Sequence, residues 1–467
     1  MKYKNEIEKY IEDHKQEMID DIIKLCEINS QKMPYKEGMP FGEGPYKALM
    51  AAISMGEGYG FSVKNYDNYV AAIDLNDKEK GLDILAHLDV VPEGEGWTKT
   101  EPFKPHIEDG KIYGRGTSDD KGPAVAALYA LRALKELNIP LSKNVRLILG
   151  TDEECGSECI KHYYKFEKEA PLSFSPDAEY PVVNIEKGKL HGNFVANFEK
   201  STELPRIVSI EAGTKVNVVP PKAKMVIEGL KIDDVKAEAD KVSAETGIKF
   251  LFDLEPVFEI TAMGKNAHGS TPQNGNNAIT ALLLLISRLK FAKSKQIEIL
   301  NNLYKLMPHG ETDGKSLGIK CSDEKSGELT LAFSLLNVTQ DNIDGGFDLR
   351  CPICASTKDI MSTLRAKLSA AGVELTNQTM TEPHEVPGDG HFVQTLNKCY
   401  EEYTGLKGGA IAIGGLTYVH DIKNGVAFGA IFPGTDTHMH GADEFMVISE
   451  LVASAKIFAQ VIVELCS

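Results

Sequence analysis

Residues 81–91 read Gly-Leu-Asp-Ile-Leu-Ala-His-Leu-Asp-Val-Val, an apolar run interrupted only by Asp83, His87 and Asp89. Such a run predicts a short strand. Residues 124–137 follow with helical periodicity, opened by Gly122 and Pro123, and residues 144–149 are a second short apolar strand. Strand, helix, strand in that order predicts an α/β fold, a mostly parallel sheet with flanking helices. The end of the chain has matching texture. A strand at 426–432 leads through a Pro-Gly turn to a closing helix at 448–466.

The middle reads differently. Strands at 190–198 and 329–336 and helices at 233–245 and 277–289 point to an α+β unit inserted into the α/β domain. The expected division is a discontinuous domain of residues 1–187 and 381–467, and an inserted domain of residues 188–380. A chain of 467 residues is long enough for both to bury their own cores.

Composition closes off several function classes. The formal charge of −17 argues against nucleic-acid or anionic-membrane partners. The first 25 residues are charged throughout and periodic in Ile and Leu, which suits an amphipathic helix and not an export signal. Apolar runs such as 281–286 are too short to span a bilayer. Eight cysteines without an export signal read as reduced thiols in a cytoplasmic protein. The single Cys351-x-x-Cys354 has no second pair to complete a structural zinc site.

Five acid- and histidine-bearing segments follow or abut the apolar patches. His87 and Asp89 stand two apart, a spacing that puts both side chains on one strand face, where a carboxylate can orient a metal-bound imidazole. Asp119 and Asp120 lie in Gly114-Arg115-Gly116-Thr117-Ser118-Asp119-Asp120-Lys121-Gly122, where a helix begins. Asp152-Glu153-Glu154 ends a strand at the sheet edge where α/β folds place their ligands. Asp177 follows another apolar patch, and His438, His440, Asp443 and Glu444 precede the closing helix. Taken singly, each has an ordinary reading as a helix cap, a solvated acidic loop or a surface histidine. Together they supply carboxylates and imidazoles without thiolate, which suits zinc, manganese or cobalt in a hydrolytic site.

This combination of motifs, in this order, resembles the aminoacylase/carboxypeptidase G zinc peptidase family. Phe347-Asp348-Leu349-Arg350, Ala267-His268-Gly269-Ser270-Thr271-Pro272 and the length of the insert resemble its PepV-like dipeptidase branch, relatives of carnosinase. The resemblance implies two zinc ions per chain, with Mn²⁺ or Co²⁺ as substitutes. His87 and Asp177 would hold one, Glu154 and His440 the other, and Asp119 would bridge, with His438 as the alternative to His440. Asp89 would orient His87, and Glu153 would serve as general base and acid. The 1–187 and 381–467 domain would be catalytic and the 188–380 domain a substrate-binding lid. That lid would supply His268, Arg350 and Asn217, with Gly414 and Gly415 near the substrate carboxylate.

One departure stands out. Where the branch carries a Gly-Gly-Gly-Thr-Tyr-x-Arg loop, this chain has Leu416 and His420, which bears on side-chain specificity. The resemblance implies that the helix at 277–289 pairs with a partner chain in shorter members of the family; here the long segment 290–344 would cover that face internally, so a monomer is expected, with a homodimer as the alternative. The activity implied is hydrolysis of dipeptides with a free C-terminal carboxylate. The competing readings are an N-acyl amino acid amidohydrolase and a non-catalytic peptide- or metal-binding protein on the same scaffold.

Overall fold

The computed structural model describes residues 1–467, and their contacts gather into two compact units. The first comprises residues 1–185, 385–411 and 416–467, the second residues 186–384 with 412–415.

The first unit is built on a nine-stranded sheet. Its centre runs Asn144–Gly150, Lys80–His87, Leu172–Ser175, Gly425–Phe428, and these neighbours are parallel. Antiparallel strands flank them: Val70–Asp74 and Ser62–Tyr66 on one side, Val182–Glu186 on the other. Helices Lys121–Glu136 and Ile448–Cys466 cover the sheet, burying the apolar side chains that gave the sequence its periodicity. The acid inside the first apolar run is explained by its neighbour. Asp83 is fully buried and accepts Arg146 Nε and Nη2 at 2.7 Å each from the adjacent strand.

Two local differences from the sequence reading have physical causes. The N-terminal helix is two helices, Lys4–Asp13 and Lys15–Cys26, separated at His14. The His14 ring stacks on Tyr10 and its Nδ1 lies 2.8 Å from the Tyr10 carbonyl oxygen, which also accepts the His14 backbone N–H at 3.1 Å, so ring and helix ladder share one acceptor where the helix is interrupted. The strand at 426–432 divides at Gly429, which adopts φ 79°, into Gly425–Phe428 and Ala430–Ile431.

The second unit is one eight-stranded sheet in which every neighbouring pair is antiparallel. Strands Asn342–Cys351, Thr330–Val338 and Gly188–Asn197 form its best-paired part. Helices Ile232–Thr246, Ala278–Arg288, Lys295–Leu306 and Thr357–Ala371 share a separate core with it. Within the 290–344 segment, helix Lys295–Leu306 packs directly on Ala278–Arg288.

Candidate metal centre

Three turns at the C-terminal ends of the parallel strands carry most of the acids. The strand Lys80–His87 ends on a fully buried imidazole whose Nδ1 lies 3.0 Å from the main-chain carbonyl of Asp89. The Asp89 carboxylate is farther, at 3.6 Å, and accepts instead the backbone N–H groups of Glu153 and Glu154 at 3.0 and 3.2 Å. Asp89 therefore ties two strand ends together, and its carbonyl rather than its side chain sits nearest the ring. With Nδ1 so occupied, His87 Nε2 is left to face inward.

The Asp119 turn is held by a buried ion pair. Glu444 accepts Arg115 Nη1 at 2.5 Å and the backbone N–H groups of Gly116, Ser118 and Asp119 at 3.0, 3.0 and 3.3 Å. Asp120 accepts the backbone N–H of His87 at 3.0 Å. Lys121, fully buried, donates to the carbonyls of Leu25 and Ile28 at 2.9 and 2.8 Å. Neither Arg115 nor Glu444 receives a role from sequence order, since they lie far apart along the chain. Their signal was that each sits inside a motif already singled out.

The outcome is a cage. Asp119 directs Oδ1 to His87 Nε2 at 2.9 Å and Oδ2 to His440 Nε2 at 2.8 Å. Asp177 Oδ2 lies 3.5 Å from His87 Nε2, and Glu154 Oε1 lies 3.3 Å from His440 Nε2. Two triads result, His87–Asp119–Asp177 and Asp119–Glu154–His440, each with ligand atoms within 4.8 Å of one another. Atoms about 2.0–2.2 Å from a shared tetrahedral ion stand roughly 3.3–3.6 Å apart; the 3.5 and 3.3 Å spacings match this, while the 2.9 and 2.8 Å approaches to Asp119 are shorter and would open by about half an ångström around a cation. Two further observations agree. His87 Nε2 and Glu154 Oε1 are buried and, despite these short approaches, make no well-directed hydrogen bond, and the donor set contains imidazole and carboxylate only. The residues present fit a pair of divalent cations.

The first acid of the Asp152-Glu153-Glu154 run has a different use. Asp152 pairs with Lys32 at 2.7 Å and accepts the N–H of Glu158 at the start of helix Glu158–Tyr163. Glu153 and Glu154 are left to the cage side of the turn.

Electrostatics bears on cation binding. Burial, reinforced by the Asp119 charge, pushes Glu154 up to about 7 and Asp177 up to about 6. Burial opposes charging of His440, but Asp119 and Glu154 outweigh it and raise the imidazole to about 11. These groups all lie above their ordinary values of about 4 for carboxylates and about 6.5 for histidine. At these three groups the metal-free folded chain binds more protons than the unfolded chain, so their contribution to stability falls as pH rises from about 4 towards 11. Asp119 shifts the other way, held below the usual carboxylate range by His440 and His87 against the cost of burial; its contribution is complete by about pH 5. Cations replace the bound protons. The melting-temperature gap between metal-loaded and chelated protein should therefore widen from about pH 5.5 to about pH 8. Paired thermal melts check this, and a gap that narrows with pH would contradict it.

The remaining expected residues gather in the second unit. The backbone N–H of Gly269 donates to the Asn217 carbonyl at 2.7 Å, and Val218 bridges His268. The backbone N–H of Ser270 donates to His268 Nδ1 at 3.2 Å, with Ser270 Oγ 2.6 Å from the same atom. Because an N–H can only donate, Nδ1 is an acceptor, and the neutral ring carries its proton on Nε2. Arg350 is buried, donates through Nε and Nη2 to Asp348 at 2.6 and 2.8 Å, and reaches the Gly414 carbonyl through Nη1. Gly415 follows Gly414 in the same segment of this unit. His420 is buried in a 3₁₀ turn, Tyr418–Asp421, of the first unit.

An α/β unit with a cage of imidazoles and carboxylates at its strand ends, interrupted by an α+β unit, is the plan of a metallopeptidase. The chain belongs to Peptidase family M20/M25/M40, matched over residues 84–464. It is 37% identical over 459 residues to YtjP of Bacillus subtilis (strain 168), covering 97% of each chain. It is 34% identical over 456 residues to the Beta-Ala-Xaa dipeptidase of Lactobacillus delbrueckii subsp. lactis, covering 97% of this chain and 96% of that one. Human carnosine dipeptidase 1 shares the fold with a TM-score of 0.64 at 14% identity, over 100% of this chain and 99% of that one. The family expected from the motifs is the family found. No helix is long and apolar enough to cross a membrane.

Proposed function

We propose that this metallopeptidase hydrolyses dipeptides with a free C-terminal carboxylate, using two zinc ions held by His87, Asp119, Glu154, Asp177 and His440. The observation that carries the reading is Asp119, whose two oxygens face two different imidazole nitrogens at 2.9 and 2.8 Å. The similarity to a Beta-Ala-Xaa dipeptidase over nearly the whole chain supports the substrate class.

When bound, the cations would lower the pKa of a water towards about 7 and polarise a carbonyl. Glu153 accepts the proton of the attacking water and delivers it to the departing amine nitrogen. Its side chain belongs to neither triad, which leaves it available for proton transfer. Burial and the charges of Asp177 and Glu154 raise its proton affinity, against a lowering by His87. His268, with its proton on Nε2, is assigned as donor to the substrate carbonyl oxygen. Arg350 is assigned the terminal carboxylate. Three of its five N–H donors serve Asp348 and Gly414, and the edge formed by Nη1 and Nη2 suits a carboxylate. Asn217, Gly414 and Gly415 complete the substrate-binding set on the inserted unit, for which we propose the role of lid.

Metal analysis beside a substrate panel tests this. We expect close to two metals per chain, chelator-sensitive cleavage of Ala-Ala and β-Ala-His, and little action on N-acetyl amino acids. Exclusive deacylation would transfer the chain to the amidohydrolase reading. Metal and peptide binding without turnover would make it a binding protein.

A further inference from the structure

Asp348 has no part in the chemistry assigned above, yet it is fully buried and three features of the inserted unit converge on it. It stands on strand Asn342–Cys351 two residues before Arg350, so both side chains leave the same face while Phe347 and Leu349 enter the core. Its two oxygens take the guanidinium side-on, Oδ1 from Nε and Oδ2 from Nη2. His191 Nε2, directly across the sheet, lies 3.3 Å from Oδ2. On its remaining side is the backbone of the His268 loop. A Cβ built on Gly269 would stand 2.7 Å from Asp348 Oδ2, 2.8 Å from Cγ and 2.9 Å from Cβ, so only glycine fits beside this carboxylate.

The contacts close on themselves. Arg350 Nη1 donates to the Gly414 carbonyl. A Cβ on Gly414 would lie 2.6 Å from Ser270 Cβ, so that backbone rests against the serine. Ser270 in turn fixes His268 through Nδ1. From Asp348 the chain of contacts runs through Arg350, Gly414, Ser270 and Gly269 back to Asp348.

We propose that Asp348 is a positioning residue that sets the guanidinium plane of Arg350 and the seat of the His268 loop together, so that carboxylate recognition and carbonyl recognition are held in one register. The inference rests on the dipeptidase reading. A guanidinium gripped on its Nε–Nη2 side can rotate only by giving up two charge-assisted bonds, so its orientation is set before substrate arrives. The Gly269 contact passes the same constraint to the residue beside His268. Neither effect involves the cation cage, so metal binding should not register it.

A double-mutant cycle on the metal-loaded full chain tests the proposal, with Asp348→Asn, Arg350→Met and the pair, assayed on Ala-Ala and on its C-terminal amide. Each single variant should raise KM for Ala-Ala about 10- to 100-fold and shrink the preference for the free acid over the amide. The double variant should be no worse than Arg350→Met alone, because Asp348 acts through Arg350. Metal content should stay at the wild-type value throughout. Gly269→Ala supplies a second route that changes no charge and guards against misfolding of Asp348→Asn. Its methyl group displaces either Asp348 or the loop, and it should raise KM and lower kcat together.

Wild-type KM in both Asp348→Asn and Gly269→Ala would overturn the proposal. So would additive losses in the cycle, which describe a residue needed only for folding. A wild-type chain that cleaves acid and amide equally well would remove the carboxylate reading on which the proposal stands, and that result is visible before any variant is made.

Discussion

Replacing Glu153 by alanine should lower kcat by about 10²- to 10⁴-fold while leaving metal content unchanged. The expectation combines two structural facts. The Glu153 side chain is outside both triads, whose ligand atoms come from His87, Asp119, Asp177, Glu154 and His440. Its place in the turn is secured by its backbone, since the N–H donates to Asp89 Oδ1 at 3.0 Å whatever side chain the residue carries. Truncation therefore removes the proposed proton carrier without loosening the scaffold. The loss should fall on kcat and on kcat/KM to a similar degree, as it does when an interaction made only in the transition state is removed. Glu153→Asp should recover part of the rate, because the carboxylate persists but is withdrawn by one methylene. Steady-state kinetics paired with elemental analysis gives both readings. Activity within about tenfold of wild type in the metal-replete variant would assign proton transfer elsewhere.

How much of this was legible in the sequence depends on which side chains act locally. The strand-end positions of His87, Glu153 and Glu154 could be read because period and apolar runs locate strand ends, and function in such sheets collects there. The roles within the Asp152-Glu153-Glu154 run were legible only in part. A row of acids looks uniform until Lys32 is seen to neutralise the first of them at 2.7 Å. Asp89 shows the same limit from the other side. Two-residue spacing predicts a shared strand face with His87, but the strand ends at His87 and the carboxylate turns to the amides of Glu153 and Glu154. Glu444 and Arg115 are 329 residues apart, and no local periodicity relates them. In the inserted unit the elements were visible but their joining into one antiparallel sheet was not, because register between distant strands is set by packing that only the fold assembles. Asp348 illustrates both cases. Its shared face with Arg350 follows from the spacing, while its contact with Gly269 depends on two segments meeting in space.

Asp119 should behave unlike any other residue of the cage. His440→Ala removes an atom from one triad only, and the second triad, His87 with Asp119 and Asp177, keeps its full set. Such a variant should retain about one tightly held metal, and His87→Ala should do the same for the opposite triad. Asp119→Asn instead changes a ligand common to both. An amide keeps the volume of the carboxylate but offers one acceptor oxygen and a donor NH₂ in place of two acceptors. One of the two imidazole nitrogens, now at 2.9 and 2.8 Å from the carboxylate oxygens, would then face a group that cannot bridge. The charge balance worsens as well. Asp119, Glu154 and Asp177 offer three carboxylates to two dications, and removing the shared one weakens attraction at both positions. The expected result is loss of both metals under dialysis conditions in which His440→Ala retains one, with activity reduced to background. Native mass spectrometry across a zinc titration distinguishes the cases. Two metals bound in Asp119→Asn with wild-type affinity would mean that the carboxylate does not bridge, and the two triads would have to be treated as independent sites.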